Sequence, residues 1–374
     1  MSTTPGKLIP LLSQPRIPGL DGLRALAVLL VIVYHFGFEQ INGGFGVEIF
    51  FVLSGFLITW LLLAEDARTG TVSIGEFYRR RAARLLPGFY AYVILGLAYG
   101  AVRGEPAPWG AVVSSSLYVM NYYHGLVHPP DSFLSHCWSL AIEEQFYLFW
   151  PLAFRRLRRN PRALVCALGV TIVGVWIVRD VLYFGLHVSQ SYIYRALETR
   201  ADALAVGCLL AAATRQGYLL AFWERCARSW IVPVTLAVLA AISASLYTNP
   251  RYRFGIGYMI EPVLIAALIP QVILLAATPG SWARILELRP IVYLGTISYS
   301  LYLYQQITLG PAQHLTAGRP IALQLVFAIA VTVVAAAASY HLLEKPLRAR
   351  IRRSPPRASA AERTGAANTV SGGT

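Results

Sequence analysis

Residues 20–35 read Leu20-Asp-Gly-Leu-Arg24-Ala-Leu-Ala-Val-Leu-Leu-Val-Ile-Val-Tyr-His35, an apolar run with a cation near one end and an imidazole at the other. Such a run reads as the core of a membrane helix, since about 20 residues cross the hydrocarbon of a bilayer. Arg24 and His35 are eleven residues apart, about 16 Å along a helix and roughly 20° in rotation, so they share a face. Ionisable groups inside a span are costly and by default mark a functional path. The ordinary alternative is that Arg24 snorkels to headgroups while His35 sits at the opposite interface.

The rest of the chain has the same character. Hydrophobic residues make up 56% and charged residues 13% of the 374, with mean hydropathy +0.54. A soluble domain carries about 25% charge, so this composition excludes that class. Continuous apolar stretches rather than alternating ones exclude a barrel. Expected spans are 20–38, 44–63, 86–103, 137–154, 163–184, 198–214, 230–247, 257–276, 290–307 and 319–342. The fold class is therefore expected to be all-α, a polytopic transmembrane bundle of about ten spans. The shorter run 111–120 is read as re-entrant or surface-lying, and Pro87, Pro151 and Pro262 are expected near span ends.

Charge placement gives an orientation. The net charge is +14, and arginines cluster in 64–85, 155–162, 215–229, 277–289 and the tail from 343, with Arg228 among them. Positive loops face the cytoplasm, which puts both termini inside, in the cell's inner (plasma) membrane. Basic surface clusters also attract anionic lipids, so membrane lipids, not nucleic acid, are the expected partners of this charge. Residues 1–16 form a short cytoplasmic segment, 17–347 the membrane domain, and 348–374 a disordered basic tail. Cys137, Cys166, Cys208 and Cys226 show no paired spacing, and no ligand cluster calls for a metal.

Four further segments carry polar chemistry. Gly43-Gly44-Phe45-Gly46 permits close backbone approach, to a ligand or in a plain hairpin, and Ser54-Gly55 permits close helix packing. In Glu76-Phe-Tyr-Arg-Arg80-Arg81-Ala-Ala-Arg84, Arg84 shares a helical face with Arg80 and Arg81, enough guanidinium to grip phosphate or simply to anchor the span. Trp138-Ser-Leu-Ala-Ile-Glu143-Glu144-Gln145 opens a span with two acids, at least one of which needs an arginine or a proton. Arg200-Ala-Asp202 repeats that pattern, and mutual neutralisation is its bland reading.

In this order the segments resemble the membrane acyltransferase-3 family. Arg24…His35, Gly43 through Phe56, Phe77 through Pro87, Trp138 through Tyr147, Arg200-x-Asp202-x-Leu204-x-x-Gly207, Gly295-x-Ile297-Ser298-Tyr299 and Glu344-Lys345-Pro346 carry the resemblance across 17–347. It implies an O-acyltransferase moving an acyl group, usually acetyl, from acyl-coenzyme A to a hydroxyl of a sugar-containing acceptor. That acceptor is an envelope polysaccharide, a glycolipid or a macrolide-type metabolite. His35 would be the general base, with Arg24, Glu143 and Glu144 completing the catalytic set. Arg80, Arg81, Arg84, Gly44 and Gly46 would hold the coenzyme, and Arg200, Asp202, Ser298, Tyr299 and Gln305 the substrate path. One departure stands out: many relatives carry a second histidine where this chain has Gln305, which can hydrogen-bond but cannot act as a base at neutral pH. The rival reading is a multi-span transporter of a polar or sugar-like solute.

Overall fold

The computed structural model describes residues 6–218, 220–227 and 230–353. Residues 1–5, Arg228 and the expected tail beyond 353 lie outside them. The chain is an all-helical, multi-pass membrane bundle whose helix ends follow local chemistry. Ser73 Oγ accepts the Glu76 N–H (3.4 Å) to open the helix Ile74–Val102, and Asn160 Oδ1 accepts the Ala163 N–H (3.1 Å) ahead of Pro161–Asp180. Gly70, at φ +69°, closes the helix Gly43–Thr69 in a left-handed conformation that suits glycine.

The expectation of about ten spans is corrected. Among the described residues five helices are long and apolar enough to cross: Gly43–Thr69, Ile74–Val102, Pro161–Gly185, Pro250–Ala276 and Ile321–Arg350. A sixth is obtained if Gln190–Arg215 and Leu220–Cys226, bent by 108°, count as one broken span. Reading apolar runs overcounted because several are short, broken or diluted. Leu20–Phe36 has 17 residues, about 26 Å of helix against a core of about 30 Å. Cys137–Leu157 carries Glu143, Glu144 and Gln145, and segment 290–307 breaks at Ile297 between Arg289–Thr296 and Ser298–Leu315. Polar helices of this kind are shielded by neighbours, so lipid does not dictate their composition. The run 111–120 holds an eight-residue helix, Trp109–Ser116, about 12 Å long and too short to cross.

Pro87, Pro151 and Pro262 lie inside helices rather than at their ends. The basic turn before Pro87 continues directly into the span, and neighbouring helices in a membrane bundle tolerate the missing N–H.

At the centre, Leu197–Arg215 packs against Gly43–Thr69 and Pro161–Asp180. The first of these crossings is glycine to backbone. A Cβ on Gly55 would stand 1.9 Å from the Leu204 carbonyl oxygen, and one on Gly207 would stand 2.1 Å from that of Val52. Small residues let membrane helices meet this closely. Gly55→Val is therefore expected to force the two helices apart and lower the thermal unfolding midpoint of the detergent-solubilised protein, at a cost of about 1–3 kcal/mol or more. An unchanged midpoint would contradict the close crossing.

Candidate active site

The basic turn of Ile74–Val102 faces a cavity of about 590 Å³, walled by Arg24, by Gly43–Thr69 and by Cys137–Leu157. Five arginines, Arg24, Arg68, Arg80, Arg81 and Arg84, line it against three glutamates, Glu65, Glu143 and Glu144. The pairing is specific. Arg80 reaches Glu65 at 2.9 Å. Arg81 Nε lies 2.9 Å from both Glu144 oxygens, and its guanidinium has Glu143 at 3.8 Å and the Tyr147 ring at 3.5 Å from its centre. Arg24 has Asp21 at 3.6 Å. Arg84 has no ion pair among the described residues, and its electrostatic neighbours include three further cations, Arg24, Arg81 and Arg348. A guanidinium without an ion pair, set among other cations on a cavity wall, has the chemistry to take an anion.

Ser139 and Tyr302 also line the cavity. The two hydroxyls are 2.5 Å apart, and Tyr302 Oη donates to the His136 carbonyl at 3.0 Å. Behind them the His136 ring is buried, packed 5.2 Å from the Tyr302 ring and 5.7 Å from that of Tyr92. Neither of its nitrogens has a hydrogen-bond partner among the described residues. His35, an electrostatic neighbour of His136, keeps an accessible edge but does not line the cavity. Its Nδ1 lies 2.8 Å from the Val31 carbonyl oxygen of its own helix. That oxygen can only accept, so Nδ1 carries the proton and Nε2 keeps the lone pair a base requires.

The cavity thus brings together Arg24, Arg80, Arg81, Arg84, Glu143, Glu144, Ser298 and Tyr299. The other candidates lie elsewhere. Gly46 is a packing contact, where a Cβ would meet the Ala27 carbonyl oxygen at 2.4 Å, and a Cβ on Gly44 would meet the Tyr194 hydroxyl at 3.1 Å. Arg200 and Asp202 belong to a fully buried ionic quartet. Arg200 pairs with Glu48 and lies over the Tyr258 ring at 3.8 Å, while Arg179 reaches Asp202 at 2.7 Å and the Thr199 carbonyl at 2.9 Å. Trp176 donates to Asp202 at 3.0 Å. Gln305 is fully buried, and both ends of its amide lack partners among the described residues.

Glu48, Arg179 and His136 were not among the sequence candidates. For Glu48 and Arg179 a signal exists, since each is an ionisable residue within an apolar run and must find an opposite charge. His136 has no such signal; a lone histidine two residues before Trp138 looks like any loop residue.

A family model described as an acyltransferase domain matches residues 17–341. A peptidoglycan O-acetyltransferase, OatA, of Listeria monocytogenes is 33% identical over 370 residues, covering 90% of this chain and 56% of the relative. The O-acetyltransferase OatA of Staphylococcus aureus is 31% identical over 371 residues, covering 93% of this chain and 60% of the relative. The chain thus spans less than two thirds of the length of these relatives. No solved structure matches it. A match over 17–341 that holds the arginine-lined cavity and both histidines establishes that the chain belongs to this acyltransferase family.

Proposed function

We propose that the chain is a plasma-membrane O-acyltransferase that moves an acetyl group from acetyl-coenzyme A to a hydroxyl of a sugar-containing acceptor. The observation that carries this reading is Arg84, a cation on the wall of a cavity with no ion pair among the described residues, beside Arg80 and Arg81, which are paired with glutamates. Coenzyme phosphates supply the missing anion. The thioester arm then points along the cavity toward Ser139 and Tyr302, with His35 beyond them. His35 Nε2 takes the proton of the acceptor hydroxyl, whose oxygen attacks the acyl carbon. The carbon–sulfur bond breaks, and the departing thiolate receives the proton from the imidazolium. General-base assistance of this kind contributes about 100- to 10,000-fold. Arg24, Glu143 and Glu144 set the charge balance around the donor.

The relatives are named as O-acetyltransferases, one of them for peptidoglycan. We therefore favour an envelope glycan over a glycolipid or a macrolide-type glycoside as the acceptor. The test is Arg84→Gln in purified protein supplied with labelled acetyl-coenzyme A. Losing one charge-assisted phosphate contact is worth about 1.5–3 kcal/mol, so KM for the donor is expected to rise roughly 10- to 150-fold. A variant with unchanged donor KM would remove the phosphate from this site.

A further inference from the structure

A second cavity of about 510 Å³ lies against the first. Arg24, Leu57, Leu61 and Ala64 line both, so the two recesses are separated by single side chains. Its remaining wall comes from the 12–17 segment, from Leu20, Asp21, Trp60 and Leu63, and from Arg215, the last residue of the helix Leu197–Arg215. The lining is apolar over Leu57, Trp60 and Leu61 and cationic over Arg16, Arg24 and Arg215, against Asp21 alone. Arg16 is already paired with Glu287 and stands 3.9 Å from Asp21, and Arg24 stands 3.6 Å from the same acid. Arg215 is exposed and has no ion pair among the described residues. The Trp60 N–H is spent on the Leu12 carbonyl (2.9 Å), so this largely buried ring offers the recess apolar contact and no free donor.

Arg215 alone would be unremarkable, because a basic residue in the last turn of a helix complements the dipole. Its position on the wall of an apolar recess that adjoins the donor cavity gives it a further use. Cavities of about 300–1,000 Å³ hold drug-sized ligands, and acyl-coenzyme A is larger than these, with a phosphate on its ribose remote from the thioester. We propose that the second cavity seats the 3′-phosphoadenosine end of the coenzyme, with the purine against Leu57, Trp60 and Leu61 and the 3′-phosphate on Arg215. The assignment rests on the acyl-coenzyme A reading above and adds the element that distinguishes the intact coenzyme from its 3′-dephospho form.

The experiment measures binding rather than turnover. The purified full chain in phosphatidylcholine nanodiscs is titrated with coenzyme A and with 3′-dephospho-coenzyme A, for the parent, Arg215→Gln and Arg215→Lys. The parent is expected to bind the intact coenzyme at least about tenfold more tightly. Arg215→Gln should erase that difference by weakening only the intact form, and Arg215→Lys should restore part of it. Equal affinity of the parent for both forms, or a difference that survives Arg215→Gln, overturns the subsite while leaving the donor assignment intact. Absence of binding by either form overturns both.

Discussion

Replacing His35 with alanine is expected to lower acetyl transfer by roughly 100- to 10,000-fold, the range that a positioned general base contributes. The expectation follows from the ring's surroundings. Its Nδ1 proton goes to Val31 of the same helix, so Nε2 is the nitrogen left to accept a proton. That tether is local, and the ring keeps an accessible edge, so removing it deletes chemistry with little packing. The variant should insert and unfold like the parent, which a detergent thermal melt checks alongside turnover. His35→Gln sharpens the test by retaining hydrogen bonding without basicity, and it should be as inactive as alanine. Near-normal turnover in both would move the base elsewhere, and buried His136 would be examined next.

The second large effect concerns stability. Arg200→Ala strands Glu48 at 1% exposure, and Glu48→Ala strands Arg200 at 2%. Removing one partner of a buried pair costs about 3–5 kcal/mol, because the other charge stays in a low-dielectric interior. Each single variant is expected to melt well below the parent and to be recovered in lower yield. The double replacement Glu48→Leu with Arg200→Met should recover much of the loss, since an apolar pair of similar volume avoids the desolvation penalty. A single variant with unchanged melting but lost turnover would instead return Arg200 to the substrate path.

Much of the candidate site could be read from the chain because charges in an apolar setting have few uninteresting explanations. Arg80, Arg81, Arg84, Glu143 and Glu144 stood out on those grounds, and all five line one cavity. Partner choice was not legible. Local spacing groups Arg80 with Arg84, but only the fold hands Glu65 to the first and leaves the second without an ion pair among the described residues. The same holds for Arg200, whose partner Glu48 is 152 positions away. The number of spans was misread for a related reason. Hydropathy weighs a run as if lipid surrounded it, whereas Leu197–Arg215 is buried along most of its length by other helices.

The separation between Glu48 and Arg200 also bears on biosynthesis. A ribosome adding about 5–20 residues per second completes position 200 roughly 8–30 s after position 48. For that interval the glutamate has no guanidinium to meet. A carboxylate at the middle of a segment costs about 2.5–3.5 kcal/mol on insertion scales, an upper bound for Glu48, which stands in the second turn of Gly43–Thr69. Its host segment must therefore wait protonated, shallow or held by the insertion machinery until the counter-charge emerges, which makes maturation of this region a late, joint event.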